Sequence, residues 1–201
     1  ATYPLAALCL HTEFSPLPGL TFRESLYNGV ASDRINRQFR FCPRSDGMFN
    51  IGSLSYHIGE EDRHHGYYAV GYALGSSPSE TSADKTFNYA LWTLIEQPLL
   101  HIGESHLGAM WQGGTSPASR STCRHYWGAG LIWSNIPPRM TQVGLVVNRA
   151  LYADGRETDV ELTGSFPVCN HFTLQPAVHC INTNGNYTAA AQLRAILEFG
   201  N

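Results

Sequence analysis

A chain of 201 residues with 43% hydrophobic residues is long enough to bury a substantial core, and nothing in its length demands a second domain. Its formal charge of −3, from 13 Lys plus Arg against 16 Asp plus Glu, supplies no electrostatic footprint for a nucleic-acid backbone. No run approaches the roughly 20 continuous apolar residues of a membrane-crossing helix, and Asp, Glu, Lys and Arg make up only 14% against roughly 25% in ordinary soluble domains. A neutral polar surface of this kind suits extracellular modules, shell or fibre parts and carbohydrate binders, and no membrane-spanning segment is expected.

In chain order, Ala1 to Thr12 is apolar and reads as an edge or core-lining strand, too short and too poor in leading basic residues for a complete signal peptide. Pro16, Pro18 and Gly19 turn SPLPGL into a loop. Gln38 to Phe41 alternates polar and apolar as a half-buried strand does, Pro43 to Gly47 is a turn, and MFNIGSLSYHIG from Met48 is extended. Glu60 to Gly66 is a polar loop before the strand-forming YYAVGYALG, and Ser76 to Lys85 is the clearest exposed loop. Phe87, Tyr89, Leu91, Thr93 and Ile95 alternate, so TFNYALWTLIEQ is read as a strand in preference to a helix.

Beyond Pro98 the chain is extended and punctuated by glycine; GGTSPASRST is a loop, and CRHYWGAGLIWSN is sheet ended by Pro137 and Pro138. Gln142 to Gly164 carries two extended runs around Asp154-Gly155, a dipeptide suited to tight hairpin turns, and predicts an antiparallel hairpin. SFPVCNHFTLQPAVHCI supplies one or two short strands, with Pro176 favouring an edge or break, and the tail from Asn186 is read as a last strand. Together these predict an all-β protein, an antiparallel β-sandwich or related β-barrel with at most a short helix, forming a single recognition domain over residues 1–201.

Five cysteines without a CxxC pair argue against a thiolate metal cluster or a redox site. Cys169 and Cys180 are the best disulfide candidates, while Cys9 and Cys42 are expected to be isolated and buried. Asn186-Tyr187-Thr188 matches a glycosylation acceptor, although Asn184-Gly185 beside it reads first as a turn. The string HIGE occurs at His57 to Glu60 and again at His101 to Glu104, as strand ends would.

For function, aromatic faces stack on sugars or apolar side chains, and His and Arg supply directional donors. Trp111, His64, His65, Tyr67, Tyr68, His106, Arg124 and Tyr126 are therefore the expected ligand-binding residues. The leading expectation is an extracellular or surface-displayed, lectin-like or adhesive domain that binds a glycan or a protein receptor without turnover, assembling into a homo-oligomer for avidity. No catalytic residue, bound metal or other cofactor is assigned. Two alternatives stand beside it: a structural assembly domain of a shell or fibre, and a divalent-metal-dependent hydrolase drawing on the His and Glu residues of the two HIGE segments.

Overall fold

The computed structural model describes residues 7–30, 39–59, 66–78, 85–117, 121–138 and 140–198. The all-β expectation holds. Eleven antiparallel strands join one sheet, each hydrogen-bonded to its sequence neighbours in the order of the chain. They are β1 (Cys9–Leu17), β2 (Leu20–Asn28), β3 (Met48–Ile58), β4 (Gly66–Pro78), β5 (Lys85–Ile102), β6 (Ser105–Thr115), β7 (Cys123–Ile136), β8 (Met140–Tyr152), β9 (Arg156–Cys169), β10 (Phe172–Thr183) and β11 (Asn186–Leu197). One helical turn, α1 (Pro43–Asp46), is the only helix among the described residues. None is long and apolar enough to cross a membrane.

Local chemistry explains most strand ends. The predicted hairpin is β8 and β9, with Leu145 opposite Leu162 and Val147 opposite Val160 across the Asp154-Gly155 turn. Asn184 and Gly185 supply the positive φ angles, 55° and 95°, that turn β10 into β11. Both HIG strings close a strand at the same end of the sheet, and the glycine after each, Gly59 or Gly103, has positive φ.

Several expectations are corrected. SPLPGL is not a loop: β1 runs to Leu17 and only Pro18 and Gly19 turn, because Pro16 sits on an edge strand where its missing donor is harmless, beside a register shift between Phe14 and Leu17. Phe39 to Phe41 are not strand, residue 38 lying outside the described residues; they lead into α1, where the expected turn is a helical one. Pro176 lies inside β10, tolerated because the ladder to β9 skips Gln175 and Pro176 while Thr163 Oγ1 donates to the Pro176 carbonyl at 3.1 Å. Cys169 sits opposite Phe172, eight positions along β10 from Cys180. At roughly 3.3 Å per residue no disulfide spans that gap, and both thiols are free. Cys9 is exposed on the edge strand and Cys42 only half-buried.

Residues opposite one another on antiparallel strands share a face, so the register sorts every side chain. One face carries the row Ala109, Leu131, Leu145, Leu162, Val178 and Ala191. Its four large residues are 47–55% exposed. The other face carries Ser53, Asn88, Gln112, Tyr126, Asn148, Asp159 and their neighbours. The only buried apolar residues among those described are Ala69, Ala150 and Ala177, all on this polar face. The molecule thus exposes its large hydrophobics and buries small side chains, the reverse of a water-soluble core.

The strands are also staggered. A single row of partners runs from Leu17 through Leu20, Tyr56, Tyr68, Ile95, Trp111, Ala129, Val147, Val160 and Cys180 to Ala189. It begins at the last residue of β1 and finishes in the first turn-proximal residues of β11, although those two strands run in the same direction. Connections at one end of the sheet are 18–19, 59–65, 103–104, 137–139 and 170–171, and at the other 29–47, 79–84, 116–122, 153–155 and 184–185, so each end mixes tight turns with longer segments.

Candidate functional site

The polar face is the candidate site. At its middle, Gln112 Nε2 donates to the Tyr126 hydroxyl at 2.6 Å, and that hydroxyl donates to Asn148 Oδ1 at 2.8 Å, linking β6, β7 and β8. Gly128 lies between these side chains, and a Cβ there would collide with Asn148 Oδ1 and press on Gln112. Glycine is used here because the network occupies the space a side chain would take. Across the sheet, Arg23 Nε donates to Glu13 at 2.7 Å and His11 meets the Ser25 hydroxyl at 2.7 Å, so β1 and β2 neutralise their own charges.

On β9, Glu157, Asp159 and Glu161 alternate with Thr158 and Val160, which puts all three carboxylates on the polar face. His179 of β10 stands opposite Glu161, and its Nδ1 lies 3.1 Å from Asp159 Oδ2. One ligand atom from each of Asp159, Glu161 and His179 falls within 4.8 Å of the others, a donor set able to hold a cation. Sequence reasoning missed it. The alternating acids of TDVEL were the available signal, but their partner histidine lies 18 residues beyond Glu161 and is joined only by register.

The sequence-predicted residues divide between faces. Tyr67, His106 and Tyr126 belong to the polar face, and Arg124 lies at the register shift between Cys123 and His125. Tyr67 packs its ring against His57 at 4.6 Å, His106 stacks with His101 at 6.3 Å, and Arg124 Nε is buried without a hydrogen-bond partner. Tyr68 and Trp111 belong to the apolar face, where Tyr68 donates to Gln97 and Trp111 stacks on Trp127 with centroids 6.0 Å apart and planes 9° from parallel. His64 and His65 lie outside the described residues. Of the HIGE residues, His57 and His101 each take a different aromatic partner, and the Glu104 carbonyl accepts from Asn135 Nδ2 at 3.3 Å.

Among described side chains, charge interrupts the apolar face at Glu24, Arg149 and Arg156. Glu24 is satisfied within that face by the Tyr72 hydroxyl, 3.0 Å from Oε2, and by Asn50. Arg149 and Arg156 stand near the ends of β8 and β9, with Arg149 opposite Trp127.

No family model matches the chain, and no curated protein matches it in sequence. Among solved structures it is similar to the high-pH structure of OprB from Pseudomonas putida, a β-barrel porin, with a TM-score of 0.73 and 13% identity. The match covers 96% of this chain and 58% of that one, so the chain spans less than two thirds of the porin's length. What the two share is the fold.

Proposed function

We propose that this chain forms the wall of a transmembrane β-barrel of the porin kind, seated in an outer membrane, with its apolar face toward lipid and its polar face along a water-filled path for small polar solutes. The observation that carries the reading is the exposed apolar face: the exposed large hydrophobics of the strands, Phe49 being an exception, gather on one side of the sheet, and among the described residues only alanines are buried apolar residues. In water such a surface is costly at about 25 cal/mol per Å²; in lipid it is matched. Away from the two edges most strand residues pair with both neighbouring strands, the exceptions lying at strand ends, at register shifts and at Gln175 and Pro176, which suits a medium without water.

Two further features support it. The strands run 9 to 18 residues, and a tilted strand needs roughly 9–11 to cross a bilayer. Their stagger from Leu17 to Ala189 is what a sheet must have to curl into a barrel. The alternation also explains why hydropathy conceals the spans: apolar and polar residues average out along each strand, leaving a mean hydropathy of −0.20.

The chain refolded into detergent and added to a planar lipid bilayer is expected to give stepwise increases in conductance. A protein that stays monodisperse in detergent-free buffer and never inserts would overturn the reading.

A further inference from the structure

We infer that Asp159, Glu161 and His179 form a binding site for one divalent transition-metal cation on the polar face. Strand alternation aims both carboxylates to that side, and the β9–β10 register sets the imidazole directly opposite Glu161. The three ligand atoms already stand within 4.8 Å of one another. Bonds of roughly 2.0–2.2 Å to a zinc-sized ion draw such atoms together by side-chain rotation alone, without moving the strands.

A second observation concerns Asp159. Its Oδ2 meets His179 Nδ1 at 3.1 Å, whereas its Oδ1 is sealed from solvent with no hydrogen-bond partner. A buried carboxylate oxygen without a partner is destabilising, and a cation between Asp159 and Glu161 would both satisfy it and relieve the repulsion of two adjacent acids. Arg194, the basic side chain lining the small hollow beside Glu161, directs its Nη1 to Gln175 Oε1 at 3.4 Å. That hollow, of about 140 Å³, opens on the Glu161 side of the cluster and is lined by neither Asp159 nor His179. An imidazole among the ligands favours zinc-like ions over magnesium or calcium, which prefer all-oxygen shells.

The test is calorimetric titration of the untagged refolded chain with zinc, magnesium and calcium chlorides, alongside D159N, E161Q, H179Q and the turn variant H171Q. The expected result is one saturable equivalent of zinc, with affinity at least tenfold weaker in each of the first three variants and unchanged in H171Q. Absence of saturable zinc binding, or binding unaffected by those three substitutions, would overturn the site. Should a variant fail to fold, cobalt absorption of the unaltered chain decides: visible bands signalling bound imidazole, lost on adding equimolar zinc, support the site, and a spectrum identical to aqueous cobalt refutes it.

Discussion

Gly128 shows how one missing Cβ organises the polar face. Tyr126 reaches both Gln112 and Asn148 only because nothing projects from Gly128. Replacing it with Val should destabilise the protein by about 1–3 kcal/mol, as overpacking does, read as a shift in the urea midpoint of unfolding from lipid vesicles. Tryptophans report the two faces separately. In single-tryptophan variants, acyl-brominated lipids should quench Trp111 and Trp133, on the apolar face, far more than Trp92, on the polar face; equal quenching would contradict the assignment of sides. Trp111 reads from the sequence as a ligand-binding residue, since an exposed aromatic looks alike whether its partner is a ligand or a lipid; in the structure it stacks on Trp127.

Strands were legible where the period of two was clean. TFNYALWTLIEQ and the β8–β9 hairpin alternate so regularly that propensity and register agree. Proline misled the reading at Pro16 and Pro176, where an edge position and a skipped pair of ladder partners remove the conflict that proline brings to a central strand. What the sequence concealed was which face is covered. Alternation is the same whether the apolar side packs on a second sheet or on lipid, and only exposure of Leu131, Leu145, Leu162 and Val178 in one row separates the two. A test follows at this scale: Leu145→Lys should cost about 2–4 kcal/mol of folding free energy in vesicles, whereas Ile132→Lys, facing the polar side between Gly108 and Gly144, should cost less than about 1. Comparable losses at the two positions would sink the lipid-facing assignment.

At the scale of the whole molecule, the sheet carries its own asymmetry. Arg149 and Arg156 both stand on the apolar face near one end, flanking the 153–155 turn, and the long 29–47 connection lies at that same end. Long basic side chains there can extend their heads to the headgroup region while their stems lie along lipid. On the proposed reading, reconstituted protein should lose the 29–47 connection to protease added on one side of the bilayer only; cleavage there from either side would contradict a fixed spanning orientation.

β1 and β11 point the same way, and this is a matter of parity. An up-and-down ribbon with an even number of strands meets itself head to tail, but the eleven strands among the described residues would by themselves meet head to head. If the ribbon seals upon itself, its seam is the single parallel joint in an otherwise antiparallel cylinder, with slanted and weaker bonds. If instead another strand or another ribbon enters the gap, the antiparallel rule is restored. Hydrogen exchange separates the cases: a self-made seam leaves the amides of Cys9–Leu17 and Asn186–Leu197 the fastest-exchanging in the wall, whereas an inserted strand protects them as well as their neighbours.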